Sequence, residues 1–182
     1  MPDPLPTFRV VFVPGVTPTK WERIWRDRMR RQRLELRPAS PAEALAALRD
    51  GTADAAFLRG IAASEEFSAI RLYEENPVVV ASRDHLFAAL GVGEELVPSD
   101  LDGENLLPGQ DADTLELVAA GVGIARMPQS VARALSRRDV IARALRDSPT
   151  TTISLVWPID RATPAVEMFI GIVRGRTENS SR

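Results

Sequence analysis

Residues 117–131, LVAAGVGIARMPQSV, constrain the fold of this chain more than any other stretch. An apolar helical run that begins near Asp113 continues through Leu117 and Ala120 and meets Gly121. That is where a helix is commonly closed by a residue with positive φ, which glycine adopts without a Cβ clash. Residues 123–127 are short and apolar enough for a buried strand, and Pro128 can open a following helix, because a first-turn residue needs no amide hydrogen. A helix, a glycine turn, a buried strand and a second helix within 15 residues imply a layered α/β structure.

The beginning of the chain repeats that logic. Residues 8–13 (FRVVFV) form a β-rich apolar run stopped by Pro14-Gly15. The helix that follows has two candidate starts, Thr17 with Pro18 at the first helical position, or a Thr19-x-x-Glu22 capping box. Trp21, Ile24, Trp25 and Met29 recur at helical spacing and predict its buried face. Residues 34–37 form a second strand, Ser40-Pro41-Ala-Glu43 opens a second helix with Leu45 and Leu48 inward, Gly51 ends it, and residues 52–58 form a third strand. Short loops between these elements predict a βαβαβ unit with right-handed crossovers and a parallel sheet.

Strands are also expected at 70–73 and 77–81, separated by the polar Glu74-Glu75-Asn76, and at 151–157 (TTISLVW). Residues 91–107 are turn-rich, with a short helical turn at Ser99-Asp100-Leu101; residues 130–135 read as helix, and residues 140–145 as a short strand. Thr163-Pro164 starts a last helix with Val166, Phe169, Ile170 and Val173 as its apolar stripe, and residues 175–182 read as a frayed polar tail.

Several of these pieces, in this order, resemble the effector-binding domain of LysR-type transcriptional regulators. The 118–128 segment is similar to that family's VAAGxGIxxLP, Ser82-Arg-Asp-His85-Leu-Phe-Ala88 to its prdHPLA, Ser99-Asp100-Leu101 to its xxDL, and 153–157 to its return strand. The resemblance spans about residues 8–175. It implies an α/β, two-lobed type II periplasmic-binding-protein-like fold, mostly parallel, with strand order 2-1-3 in lobe I. Lobe I would comprise 1–76 and 149–182, and lobe II 77–148. Only Glu104 to Ala112 stand between the DL turn and the VAAG helix, where the family has a strand, a helix and another strand. A truncated lobe II is therefore expected, with the Val78 and Ile124 strands as its main sheet. Since the chain enters its first strand at Phe8, no winged helix-turn-helix is expected in it.

Composition narrows the chemistry. With no cysteine and one histidine, disulfides, thiolate metal sites and cysteine nucleophiles are excluded, and no cofactor is expected. His85 reads as a hydrogen bonder at a helix entry with no acidic partner near it in sequence. Glu74 and Glu75 adjoin on a strand and point apart, which makes them poor acid–base partners, so no enzyme is expected. The amino terminus carries no signal-peptide pattern and no apolar run reaches membrane-spanning length, so a cytoplasmic location is expected. A net charge of -2 gives no overall reason for direct DNA binding. Arg23, Arg26, Arg28, Arg30, Arg31 and Arg33 read as a solvated helix face with i,i+4 pairs, in a chain whose only lysine is Lys20.

The resemblance further implies a small-molecule site, often for carboxylates, where helix-start amides and capping hydroxyls meet the ligand. The corresponding positions are Thr17, Thr19, Ser40, Gln129 and Ser130, each of which can equally cap its own helix. Arg126 stands where the family has an apolar side chain, and Arg59 follows the third strand. Either guanidinium can grip a carboxylate or simply meet water or a surface acid. The expected function is non-enzymatic binding of a small organic anion, with a homodimer or a full-length LysR-type regulator as partner. The alternative is a protein-interaction module that has lost ligand binding.

Overall fold

The computed structural model describes residues 6–175. The amino-terminal Pro-Asp-Pro-Leu segment and, except for Gly175, the polar tail lie outside them. The chain forms two compact units, one from residues up to Tyr73 together with those from Thr152 on, the other from Glu74–Thr151. Each crossing falls three residues from the boundary drawn on sequence.

Unit 1 contains β1 (Phe8–Phe12), α1 (Thr19–Arg28), β2 (Leu34–Pro38), α2 (Pro41–Asp50), β3 (Ala55–Arg59), most of β4 (Phe67–Glu75) and β9 (Thr151–Pro158), and α5 (Pro164–Val173). Its sheet order is β2-β1-β3-β9-β4, with β1 parallel to both β2 and β3. The 2-1-3 order thus stands, and the two crossover helices follow from the patterns of their sequences. Trp21 and Trp25 of α1 are buried, as are Ala44, Ala47 and Leu48 of α2, while Leu45 is half-buried. On α5 the buried residues are Val166, Phe169 and Ile172, with Ile170 and Val173 packed at the margin. Gly51 ends α2 with φ 77°, in the left-handed region that glycine enters freely.

Two expectations for this unit need correction. The first helix starts at Thr19 with Pro18 as its cap, and no side chain caps it, so neither Thr17 nor a Thr19–Glu22 box performs that task. The sheet is also mixed rather than mostly parallel. β9 pairs antiparallel with β3, Phe57 opposite Leu155. It reaches the sheet after the chain has left and re-entered the unit, without the βαβ crossover that enforces parallel pairing.

Unit 2 contains β5 (Pro77–Ser82), β6 (Leu106–Leu107), α3 (Ala112–Ala119), β7 (Ile124–Pro128), α4 (Gln129–Ala134) and β8 (Val140–Ala144), in sheet order β6-β7-β5-β8. β5 is antiparallel to β7 and β8, and β6 is parallel to β7. The expected pair of strands is thus a four-stranded sheet, because β8 forms a full ladder with β5 from Val140 opposite Ser82 to Ala144 opposite Val78. The polar break expected at 74–76 shrinks to Asn76 alone, since β4 runs to Glu75 and β5 starts at Pro77. Pro128 ends β7 instead of entering the helix, which begins at Gln129. Gly123 is needed for close approach, because a Cβ there would run into the backbone carbonyl of Asn105 where β6 meets β7.

Candidate functional site

In unit 1, four of the seven candidate residues gather at one edge. β1, β2 and β3 are parallel, and Thr17 and Thr19 follow β1, Ser40 follows β2, and Arg59 ends β3. All four therefore lie at the carboxyl ends of the strands, where open α/β sheets bind ligands at the point of strand-order reversal. The loop that carries Thr17 is tied to this edge by the Val13 amide donating to the Phe57 carbonyl (3.2 Å) and by Arg59 Nη2 donating to the Pro14 carbonyl (3.1 Å). Thr17 and Thr19 are exposed, and among the described residues no side chain caps the start of α1.

Ser40 differs, because it completes a capping box. Its Oγ accepts from the Glu43 amide (3.3 Å) while its own amide donates to Glu43 Oε2 (2.8 Å). The Ser40 amide first, and then the Ser40 hydroxyl, bond the Glu43 carboxylate and hold it below its ordinary pKa.

In unit 2 the other three candidates take separate surroundings. Arg126 is half-buried in β7 opposite Val79, and its Nη2 donates to the Pro149 carbonyl (3.2 Å). It lines a cavity of about 390 Å³ with Gln110 and the apolar walls of Leu107, Pro108, Met127 and Pro149. Gln110 Nε2 donates to the Arg126 carbonyl (3.3 Å), so the one strand residue is gripped at both its backbone and its side chain. A guanidinium with one donor used by a carbonyl retains others for a carboxylate, and apolar walls strengthen such a bond by excluding water. Gln129 is exposed, its amide donating to the Asn76 carbonyl (3.0 Å). The Ser130 hydroxyl donates to Glu75 Oε1.

Three polar residues escaped the sequence reading. Glu75, only 7% exposed, receives Ser130. Gln110 sits in a loop that carries no motif. Glu104 is the acid that His85 was expected to lack: His85 Nε2 lies 3.2 Å from Glu104 Oε2, while Nδ1 accepts from the Phe87 amide at the start of a 3-10 turn (3.2 Å). With Nδ1 accepting, the proton belongs on Nε2, facing the carboxylate. The expected helix-entry role of His85 is thus what its geometry shows. Among the described residues, no group of three or more His, Cys, Asp or Glu side chains is arranged to hold a metal ion. No helix among them is long and apolar enough to cross a membrane.

The LysR substrate binding domain family matches residues 7–113 and 109–178 of this sequence. The two matched segments overlap at residues 109–113, where the loop after β6 enters α3. Among solved structures, the BenM effector binding domain with its effector benzoate is similar over 96% of each chain, with TM-score 0.73 and 20% identity. The reduced OxyR regulatory domain from Pseudomonas aeruginosa is similar over 94% of this chain and 96% of its own, with TM-score 0.69 and 16% identity. A hydrogen-peroxide-bound cysteine variant of OxyR from Corynebacterium glutamicum is similar over 92% of this chain and 66% of its own, with TM-score 0.72 and 21% identity. No curated protein matches the sequence significantly.

Proposed function

Because the chain belongs to the LysR substrate binding domain family, we propose that it is a non-enzymatic, cytoplasmic effector-binding domain for a small organic anion. The observation that carries this reading is the gathering of Thr17, Thr19, Ser40 and Arg59 at the carboxyl edge of β1–β3, beside a helix start that no side chain caps. An anion meets hydroxyl donors and the positive end of α1 there, without competition from a capping side-chain oxygen. In unit 2, Arg126 with Gln110 offers a fork of donors on apolar walls, and Gln129 and Ser130 open α4. A carboxylate on a compact apolar body has the chemistry that such groups hold.

The direct test is a thermal-shift series with small carboxylates, benzoate among them. A ligand of the folded state at 100 times its dissociation constant adds about 2.7 kcal/mol. At least one carboxylate is expected to raise the melting temperature, with Arg126→Ala and a Thr17→Val/Thr19→Val variant each weakening it tenfold or more. Silence across the whole series would reject the reading.

The domain acts on transcription through association, as a homodimer or with a full-length LysR-type regulator, without touching DNA itself. A second reading, an interaction module that has lost ligand binding, is favoured by three of the five large apolar side chains left open in unit 2 among the described residues: Leu106 (51% exposed), Leu117 (47%) and Val122 (48%). Leu106 lies on the short edge strand β6, and the Val122 amide donates to the Leu117 carbonyl, which keeps those two residues together. Sedimentation of the wild type and Leu117→Glu separates the two. Association that survives carboxylate silence and disappears in Leu117→Glu supports the module.

A further inference from the structure

Five arginines of α1 and its exit form the expected solvated face but without the expected i,i+4 pairs. Arg23, Arg26, Arg30, Arg31 and Arg33 are all exposed, and none forms an ion pair or side-chain hydrogen bond among the described residues, although Glu22 and Asp27 stand at pairing distance in sequence. Elsewhere arginines are engaged: Arg9 with Asp54, Arg49 with Glu66, and Arg137 with Glu116 and Asp139. Residues 20–37 hold eight basic and three acidic side chains, a local charge of +5 in a chain of net -2, which leaves -7 to the rest.

Four of these arginines share a cavity. Arg26, Arg30, Arg31 and Arg33 rim a concavity of about 750 Å³ whose apolar lining is Pro6, Trp25, Met29 and Leu34, with Glu22 as the one acid among its lining residues. The turn that carries them is fixed. The Met29 amide donates to the Trp25 carbonyl (2.7 Å), the Trp25 indole Nε1 to the Gln32 carbonyl (2.8 Å), the Gln32 amide to the Met29 carbonyl (2.9 Å), and the Phe8 amide to the Arg33 carbonyl (2.8 Å). A rim held in this way loses little freedom when a ligand binds.

We propose that this concavity is a second ligand site, for a small molecule bearing two or more phosphate-type oxyanion groups. Guanidinium forks match oxyanions two bonds at a time, and four converging on one hollow neutralise more than one negative charge. The shape and the charge balance favour a small ligand over a nucleic-acid strand. The arginines ring a hollow instead of lining a ridge, and a polymer leaving the hollow meets a surface with net charge -7, whereas a compact ligand stays within the roughly 8 Å over which the local +5 acts at physiological salt. The site is built from α1, the turn after it, the start of β2 and residues 6–7, all within unit 1, and is independent of the effector reading.

The test is calorimetric titration of the full chain with inorganic pyrophosphate at 0.15 M salt, beside a short DNA duplex. One-to-one saturable pyrophosphate binding is expected, weakened tenfold or more in Arg30→Ala/Arg31→Ala and changed less than twofold in Arg23→Ala, which lies outside the cavity, and in Arg126→Ala. All four side chains are exposed or half-buried, and circular dichroism verifies the fold of each variant. No saturable binding, equal binding by the double variant, or an equal loss in Arg23→Ala overturns the site. Duplex binding tighter than pyrophosphate, with a log–log salt slope of several, overturns it in favour of a nucleic-acid footprint.

Discussion

Unit 1 is held chiefly by aromatic packing, with polar contacts such as Arg9–Asp54 toward its surface, and unit 2 relies more on polar braces. In unit 1 a continuous aromatic cluster joins sheet to helices: Phe8 stacks on Trp25 at 4.9 Å, Trp21 on Phe57 at 4.7 Å, and Phe169 meets Phe8, Trp25 and Phe57 edge-on. In unit 2 the sheet divides the apolar residues into two thinner clusters, one around Val78, Leu115 and Met127, the other around Val79, Phe87 and Ile124. Around them run long-range polar contacts, including Arg143 to the Phe87 and Ala88 carbonyls, Asn105 to Val122, Glu75 with Ser130, and His85 with Glu104. The lesson concerns size. A small sheet with short helices cannot bury many large side chains, so directional bonds fix the positions that bulk fixes in unit 1.

The largest expected effect is in the aromatic cluster. Phe169 is fully buried and touches three aromatic rings, so Phe169→Ala should cost about 3–5 kcal/mol, the transfer energy plus the cavity left behind. All three tryptophans, Trp21, Trp25 and Trp157, belong to unit 1. Tryptophan fluorescence during urea unfolding therefore follows this unit, while far-ultraviolet circular dichroism follows both. The fluorescence midpoint should fall sharply. If Phe169→Ala costs less than Met127→Ala in unit 2, the contrast between the units is wrong.

A brace comes next. Arg143 Nε donates to the Phe87 carbonyl (3.0 Å) and Nη2 to the Ala88 carbonyl (3.1 Å), which pins the 3-10 turn over Leu86–Ala89 onto β8. Removing a charged donor from partly buried carbonyls costs about 1–3 kcal/mol. Arg143→Ala should lower the dichroism midpoint while leaving tryptophan fluorescence nearly unmoved, and hydrogen exchange of the Phe87 and Leu90 amides should quicken. Equal movement of both signals would show that the two units unfold as one.

The same contrast explains what could be read from sequence. In unit 1 the β-rich run 8–13, the tryptophan spacing on α1 and the Ser40–Glu43 cap all act through neighbours along the chain, so pattern and strand order were legible. The bare start of α1 was not, because Thr17 and Thr19 look like caps and only the loop's path from β1 decides that they are not. In unit 2 the partners lie far apart: Glu104 is 19 residues from His85, and Glu75 is 55 from Ser130. No local spacing encodes such pairs. Arg126 could be singled out as a departure from the family motif, but its carbonyl partner Pro149 and its neighbour Gln110 depend on how the loops close around β7.

The smallest expected effect tests whether unit 1 has any brace of its own at its centre. Ser154 lies in β9 opposite Leu58, 1% exposed, and its hydroxyl has no hydrogen-bond partner among the described residues. A buried hydroxyl without a partner carries a desolvation cost of about 1–3 kcal/mol, against which the dispersion contacts of a single oxygen are small. Ser154→Ala should therefore leave stability unchanged or raise it by up to about 1 kcal/mol, seen as an equal or higher tryptophan-fluorescence midpoint in urea. A loss of more than about 1 kcal/mol would mean that the hydroxyl is bonded in solution. The core of unit 1 would then rest partly on a directional contact of the kind that marks unit 2, and the distinction between a packed unit and a braced one would narrow to a difference of degree.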